Sequence, residues 1–239
     1  GLQRLTQSLT ITLQYLKRLY NMKKQHFYFV VDTETTKKQT VADFGGVVTN
    51  RRGAIIEQFG SMVHGHFGHV PLFSDPTADS SAFWSEQSAN RRVKMYDDML
   101  ENGSRSISSV ALINQWMAGI NARYAPVLTA YNISFDLGKC ANTGINLGIF
   151  AQRFCLMKAA KRVIGSQKAY HDFCYENDLL TAKRRVPSMT ADAMAKFILG
   201  ADLQDEPHTA LEDARDYEAP ILHYLLKTLT RKQLLEAGK

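Results

Sequence analysis

The sequence predicts an α/β fold in which a mixed, five-stranded β-sheet is flanked by helices. Residues 26–31 are a continuous apolar run, typical of a strand buried on both faces of a sheet. Segments 41–49 and 54–63 are β-rich and joined by a turn at 50–53, so the sheet should open as an antiparallel meander. From residue 107 onward, helical and strand patterns alternate, as is typical of α/β domains.

The remaining elements follow in order along the chain. Residues 64–106 form an excursion rich in Gly, Ser, Pro and Asp, with one helix predicted at 86–101. Further helices are predicted at 107–123, from 135, and at 168–179, 190–199 and 209–229, with strands at 127–131 and 153–157. We therefore expect one domain over 26–230, followed by a C-terminal tail at 231–239.

The first 25 residues are predicted to form a helical extension. Within 2–20, apolar side chains recur at spacings of three and four, which marks one stripe of an amphipathic helix. This stripe could dock on the domain, pair with a second copy in a homodimer, or bind a replication protein through residues 1–21. It could also be an extension upstream of a natural start at Met22.

The composition excludes several classes of protein. Hydrophobic residues make up 45% and charged residues 22% of the 239 residues, values typical of a globular protein. No apolar run approaches the length of about 18 residues that suggests a membrane span, and the start lacks a signal-peptide pattern. We therefore expect a cytoplasmic protein with no membrane partner. Its three cysteines, which have no paired spacing, are expected to be reduced thiols.

An excess of basic residues suits a polyanionic partner. Lys and Arg number 29 against 23 Asp and Glu, which gives a net charge of +6. These residues form several small clusters, and any one cluster could instead be a solvated surface. The charge balance favours nucleic acid as a partner without locating its binding surface.

The first candidate site residues are Asp32 and Glu34, at the end of the first strand. Because strand side chains alternate between faces, carboxylates two residues apart project to the same side. Two adjacent like charges need a cation, so this pair is a candidate metal site. Alone, the pattern is also compatible with an ordinary turn at a strand end.

Two later segments carry further reactive groups. Asp136 follows a buried strand and lies in the first turn of the next helix, at the kind of strand end where open α/β sheets keep their sites. Thr209 and Glu212 form a capping-box pattern, which predicts a helix that begins at Thr209. His208 would then lie just outside this helix and Asp213 about one turn inside it. Alone, His208 is also compatible with a solvent-facing histidine.

Together, these residues resemble the three Exo motifs of the DnaQ-like, DEDDh exonuclease superfamily. The motif residues are Asp32-Thr33-Glu34, then Asn132 with Phe135-Asp136, then His208 and Asp213 separated by four residues. Residues 42–48 and 154–157 also resemble strands of the superfamily, so the resemblance covers about 26–228. The chain departs from the family pattern at Lys37, at Asp43-Phe44-Gly45 and at Tyr131. None of these departures replaces a metal ligand.

The resemblance implies a ribonuclease H-like fold and a metal-dependent 3′→5′ exonuclease that releases nucleoside 5′-monophosphates. It implies two divalent cations, Mg²⁺ or Mn²⁺, which suit a site of carboxylates without cysteine. Asp32 would bridge both cations. Glu34 and Asp213 would complete the nucleophile side, and Asp136 would support the leaving-group side. His208 would take the proton from the attacking water.

The expected substrate is single-stranded DNA, because a buried site admits one strand, and RNA is the alternative. The residues expected to hold the terminal nucleotide are Thr33, Thr35, Thr36, Asn132 and Phe135. Trp84 lies in the excursion near Arg91 and Arg92, a mixture suited to stacking on bases and holding phosphates. Trp84 could also belong to a small core of the excursion.

Two other classes of function stay open at this stage. The chain could be a proofreading or accessory subunit that acts through a polymerase partner bound by the N-terminal helix. It could also be an inactive nucleic-acid-binding module, although five intact motif residues argue against this.

Overall fold

The protein forms a mixed β-sheet, which has six strands within the residues that the structure describes. The structure is a computed structural model and describes residues 26–80 and 84–239, so the helix predicted within 1–25 lies outside the described residues. The strands are β1 (Phe27–Thr35), β2 (Val41–Asn50), β3 (Ile55–Val63), β4 (Ser106–Ser108), β5 (Val127–Ala130) and β6 (Arg153–Cys155). Their order across the sheet is β4-β3-β2-β1-β5-β6.

Helices cover both faces of this sheet. They are α1 (Glu86–Glu101), α2 (Val110–Tyr124), α3 (Ile133–Thr143), α4 (Leu156–Val163), α5 (Lys168–Glu176), α6 (Ala191–Leu199), α7 and α8 (Arg231–Ala237). Helix α7 consists of three consecutive segments, Ala210–Glu212, Asp213–Glu218 and Ala219–Thr228, and the middle segment is π-helical. Within 26–80 and 84–239, no helix is long and apolar enough to cross a membrane.

β1 is the central strand because its side chains are apolar on both faces. Tyr28 and Val30 pack into the core formed with α4 to α7, whereas Phe29 and Val31 pack into the core formed with α2 and α3. β1 pairs antiparallel with β2 and parallel with β5. The α/β class, the buried first strand and the antiparallel opening are therefore confirmed.

The prediction of five strands was wrong by one short strand. β4 has only three residues and pairs parallel with β3. A polar segment of three residues shows too little periodicity to be recognised. The helix predicted from 107 begins at Val110 instead, because the hydroxyl of Ser109 accepts a hydrogen bond from the backbone N–H of Leu112 at 3.2 Å and caps the helix.

Two segments in the second half of the chain differ from their predicted structure. β6 ends at Cys155 and continues directly into α4, so the strand predicted at 153–157 is shorter than expected. Residues 231–239, predicted as a tail, contain α8, which packs on α4 and β6. Leu234 is its one fully buried side chain, and Thr230 starts it with a capping box. With a single buried leucine, α8 has no apolar periodicity to detect.

The helix predicted at 209–229 is interrupted by the π-helical segment. Pro220 has no backbone N–H, and in a regular α-helix its ring would clash with the carbonyl of Asp216. The backbone N–H of Ala219 bonds instead to the carbonyl of Ala214, five residues earlier. The wider turn accommodates Pro220 and changes which side chains of α7 face the sheet.

β2 lies directly against the start of α7 at Gly45. A Cβ atom on Gly45 would lie 2.2 Å from the backbone carbonyl carbon of Ala210. No side chain fits in that space, so glycine permits the approach that seats the first turn of α7 on the sheet.

We expect Gly45→Ala to lower the free energy of unfolding by about 1–3 kcal/mol, because the added methyl group overpacks a contact between two backbones. Gly138→Ala is the matched control, since a Cβ at Gly138 would meet no described atom within 4 Å. That control should be neutral or stabilising by about 1 kcal/mol, because Gly138 lies within α3. Urea denaturation measures both variants, and equal stability of Gly45→Ala and wild type would contradict the close packing.

Candidate active site

A pocket of about 800 Å³ lies at the ends of β1 and β5. Its walls include the end of β1, the start of α3 and the start of α7. The carboxyl ends of β1 and β5 are neighbours because the two strands run parallel. This is the edge at which open α/β sheets keep their sites.

Most of the residues that the sequence singled out line this pocket. They are Asp32, Thr33, Glu34, Thr35, Trp84, Asn132, Phe135, Asp136, His208 and Asp213. Thr36 is absent from the lining: it is fully buried, and its hydroxyl shares a hydrogen bond of 2.7 Å with the hydroxyl of Thr40. Thr36 therefore holds the turn between β1 and β2, and the structure does not place it at the pocket where its contact with a nucleotide was predicted.

Thr33 links the two acidic residues of β1 to the third carboxylate. Asp32 and Glu34 lie in the last four residues of β1, and both line the pocket. The hydroxyl of Thr33 donates a hydrogen bond to Oδ1 of Asp136 at 2.9 Å. Asp136 is 1% exposed and lies in the first turn of α3. One of its oxygens is thus held by β1.

The entry into α3 depends on a left-handed residue. Asn132 caps this helix with φ at 75° and ψ at 54°, a conformation that asparagine tolerates better than most residues. The carbonyl of Asn132 accepts a hydrogen bond from the backbone N–H of Phe135 at 2.8 Å. This tight turn connects the end of β5 to the helix turn that carries Asp136.

Glu34, His208 and Asp213 form the tightest cluster of possible ligands. One ligand atom from each lies within 4.8 Å of the other two. Nδ1 of His208 lies 3.9 Å from Oδ2 of Asp213. Oδ1 of Asp213 is buried and has no hydrogen-bond partner among the described residues. The cluster therefore contains a buried acceptor that a bound cation would satisfy.

The first turn of α7 is capped from β2, not by the predicted capping box. The helix does begin after Thr209, but the Thr209 side chain accepts no capping hydrogen bond. Instead, Oδ2 of Asp43 accepts a hydrogen bond from the backbone N–H of Ala210 at 2.9 Å. The hydroxyl of Thr209 donates to Oε2 of Glu212 at 2.7 Å. The capping-box prediction is wrong in its bonds because Asp43 takes over the cap.

Arg105 is the cation that makes this cap stable. Its guanidinium is fully buried, lies 3.5 Å from Oδ2 of Asp43, and forms a short ion pair with Glu212. A buried carboxylate costs free energy unless it is paired and hydrogen-bonded. Arg105 thus connects Asp43 of β2 to Glu212 of α7, the residue next to Asp213.

Arg92 of α1 enters the site from the excursion. Its Nη1 donates to Oε2 of Glu34 at 2.8 Å, and its Nη2 donates to the carbonyl of Phe73 at 3.3 Å. The sequence had suggested phosphate contact for the basic residues near Trp84, not a buried ion pair. A signal for it exists, because Ala89, Arg92 and Tyr96 share the buried face of α1. An arginine on a buried helix face needs an acidic partner.

The carboxylates of the pocket are buried and repel one another when they are charged. Burial raises the pKa of Glu34, Asp136 and Asp213 well above the ordinary carboxyl range, and the charge of Asp32 adds to each rise. Burial and then the charge of Asp43 raise the pKa of Asp32 to about 7. Groups in this state favour a proton or a cation among them.

His208 is set up as a neutral imidazole. Burial and then the positive charge of Arg92 lower the pKa of His208 to about 4. Its backbone lies in the left-handed region with φ at 57°. Near pH 7 the ring therefore has an unprotonated nitrogen that can accept a proton.

The donor set fits hard divalent cations. Carboxylate oxygens dominate the pocket, one imidazole adjoins them, and Asp213 offers a buried oxygen without a partner among the described residues. The three cysteines are buried, and none lines the pocket. Oxygen donors of this kind suit Mg²⁺ or Mn²⁺ better than softer metals.

Two aromatic side chains stand at the pocket wall. Trp84 is 46% exposed and makes an edge contact with Phe73, with ring centroids 5.3 Å apart. Phe135 is 38% exposed, and the ammonium of Lys139 lies 4.6 Å from its ring centroid. Both rings retain exposed area beside the carboxylates, which suits contact with a nucleobase.

The pocket also contains acidic residues that the motifs do not include. Glu206 and Glu218 both line it. Burial and then the charge of Asp32 raise the pKa of Glu206 to about 8. Glu218 lies five residues after Asp213, a spacing that faces away from it on a regular α-helix. The one signal in the sequence is Pro220, because a proline interrupts the regular α-helix that would turn Glu218 away from Asp213.

Comparison with known proteins shows what this arrangement is similar to. No family model matches the chain. No curated protein sequence matches it either. Two solved structures match over 89% of the chain at 14% sequence identity: E. coli exonuclease I in complex with a 5cy-dT13 oligonucleotide, with a TM-score of 0.50, and exonuclease I in complex with the inhibitor BCBP, with a TM-score of 0.51.

The match to these two structures identifies the fold of the chain. The chain spans 42% and 43% of the exonuclease I chains that it matches. At this level of identity the similarity concerns the fold, and the chain has the ribonuclease H-like α/β fold that exonuclease I also has.

Proposed function

We propose that this chain is a metal-dependent 3′→5′ exonuclease that removes nucleotides from the 3′ end of single-stranded DNA. The observation that carries the proposal is the meeting of Asp32, Glu34, Asp136, Asp213 and His208, from three separate elements, on one pocket. A protein of the same fold, exonuclease I, was crystallised with an oligonucleotide. A net charge of +6 is consistent with a nucleic-acid substrate.

Two divalent cations, when bound, would supply Lewis acidity that activates water and stabilises the departing 3′ oxygen. Asp32, Glu34, Asp136 and Asp213 are the residues that would hold them. Asp32 is the shared ligand that the resemblance to the DEDDh motifs implies. It lines the same pocket as the other three carboxylates, and its charge raises the pKa of each of them.

His208 would act as the general base. It borders Asp213 at 3.9 Å and has a side-chain exposure of 32%, so it contacts both the acidic cluster and the open pocket. Its neutral ring would accept the proton of the water that attacks the terminal phosphodiester. The 3′ oxygen of the shortened strand would leave, and the product would be a nucleoside 5′-monophosphate.

The pocket walls would position the terminal nucleotide. Trp84 and Phe135 offer exposed ring faces for stacking, and Thr33, Thr35 and Asn132 line the same space. The pocket volume of about 800 Å³ is that of a site for a small ligand, so it suits one unpaired nucleotide. This geometry favours a frayed or single-stranded 3′ end over an intact duplex.

The direct test is hydrolysis of a 5′-labelled single-stranded DNA oligonucleotide and its RNA counterpart in Mg²⁺, Mn²⁺ and EDTA. We expect a metal-dependent ladder that shortens from the 3′ end of DNA. Asp32→Asn should abolish this ladder and should raise the melting temperature in EDTA, because it removes one of several repelling buried charges.

Asp216→Asn is the matched control for Asp32→Asn. Asp216 lies on α7, and its side chain is 46% exposed and pairs with Arg215 at 2.6 Å. The control should hydrolyse DNA at the wild-type rate. Full activity of Asp32→Asn would contradict the proposed metal centre, and faster cleavage of RNA would make RNA the substrate.

We expect His208→Ala to reduce kcat by about 10²-fold or more, because the attacking water loses its proton acceptor. Mn²⁺ affinity, measured by calorimetry, should stay unchanged if the imidazole acts on the proton and not on the cation. His64→Ala, on an exposed loop, is the control and should keep the wild-type kcat. Parallel loss of Mn²⁺ binding and rate would instead identify His208 as a ligand.

Removal of either pocket-wall aromatic should weaken substrate binding. Trp84→Ala and Phe135→Ala should each raise KM for single-stranded DNA by the equivalent of about 1–3 kcal/mol, because a stacked base loses its ring partner. Tyr175→Ala is the control, since Tyr175 is 57% exposed and lies on α5 outside the pocket lining. Steady-state kinetics with a short oligonucleotide distinguish these variants, and wild-type KM values would rule out stacking at these rings.

A further inference from the structure

Glu218 is a buried carboxylate that the motif residues leave unexplained. It lines the pocket and is 2% exposed. Its side chain accepts a hydrogen bond from the backbone N–H of Tyr131, but Oε2 has no hydrogen-bond partner among the described residues. Buried polar atoms are nearly always paired, so an orphaned carboxylate oxygen aimed into a pocket points to a ligand there.

The π-helical segment of α7 is what aims Glu218 into the pocket. On an α-helix, successive residues turn by about 100°, so a residue five positions on lies roughly 140° around the axis. In the segment Asp213–Glu218, hydrogen bonds span five residues, as between the N–H of Ala219 and the carbonyl of Ala214. A spacing of five is then close to one turn, and Asp213 and Glu218 face the same side.

The side chains that act most strongly on Glu218 are acidic. Asp32 and Asp136, followed by Glu206, raise the pKa of its carboxyl group after burial. Arg92 and Arg105 form ion pairs with other carboxylates. Lys196, which also lines the pocket, forms ion pairs with Asp192 and Asp205.

Asp136 shows why a further oxygen is needed on its side of the pocket. Oδ1 of Asp136 accepts a hydrogen bond from the hydroxyl of Thr33 at 2.9 Å, so part of its capacity as an acceptor is already used. Glu34 and Asp213 cluster with His208 within 4.8 Å, and neither Asp32 nor Asp136 belongs to that cluster. Asp32 and Asp136 alone would therefore hold the second cation with few protein oxygens.

We propose that Glu218 is a fifth carboxylate of the metal centre, and that it supports, directly or through a water, the cation held by Asp32 and Asp136. This inference rests on the proposed function of the site. The π-helical segment would then serve to place Glu218 on the same side of α7 as Asp213. Outer residues that orient a metal site typically contribute a factor of about 10–100 in metal affinity or activity.

The test is the metal dependence of Glu218→Gln, which keeps the size of the side chain and the acceptor for Tyr131 but removes the charge. The Mg²⁺ concentration for half-maximal hydrolysis should rise by about 10–100-fold, with kcat largely recovered at saturating Mg²⁺. Calorimetric titration with Mn²⁺, without substrate, should show one of two classes of site weakened by a similar factor. Glu218→Asp, which keeps the charge on a shorter side chain, should weaken it less.

Asp216→Asn is again the matched control, because Asp216 lies in the same π-helical segment and faces outward with Arg215. Its Mn²⁺ titration should equal that of wild type. If wild type binds Mn²⁺ and hydrolyses DNA while Glu218→Gln has the same Mn²⁺ affinity, the role of Glu218 is refuted and the proposed function stands. If wild type binds no Mn²⁺, the proposed function and this inference both fail.

Discussion

The structure depends on the mutual repulsion of carboxylates held together in one pocket. Four acidic groups meet where β1, α3 and α7 converge, and burial together with the charge of Asp32 raises the pKa of the other three. Arg92 forms an ion pair with Glu34, and one positive charge is fewer than the four carboxylates that meet here. Protonation or a bound cation relieves such repulsion, and the oxygen ligands of this pocket suit hard divalent cations.

The scaffold around the pocket is built to hold that unfavourable cluster in place. Gly45 lets α7 lie directly on β2, and Asp43 caps the helix from the neighbouring strand. Arg105 neutralises this cap, while Thr33 holds one oxygen of Asp136. The stability that these contacts contribute offsets the repulsion in the pocket. Rigid support of this kind is what positions catalytic groups before substrate arrives.

The central sheet and the acidic side chains of the Exo motifs could be predicted from the sequence because both depend on local patterns. Apolar runs located β1 and β5, short motifs at strand ends located Asp32 and Asp136, and a motif at a helix start located Asp213. Features set by distant contacts escaped prediction: the polar strand β4, the cap from Asp43 and the ion pair of Arg92 with Glu34. These involve partners separated by 45 residues or more along the chain, so no local spacing records them.

Binding of divalent cations by the buried acidic pocket can be measured as equilibrium binding of Mn²⁺ to the wild-type protein. Electron paramagnetic resonance of free Mn²⁺ counts the bound ions without any assumption about substrate. We expect two saturable ions per chain that excess Mg²⁺ displaces, because hard oxygen ligands bind both ions. Absence of saturable Mn²⁺ binding to the folded protein would contradict the proposed metal centre.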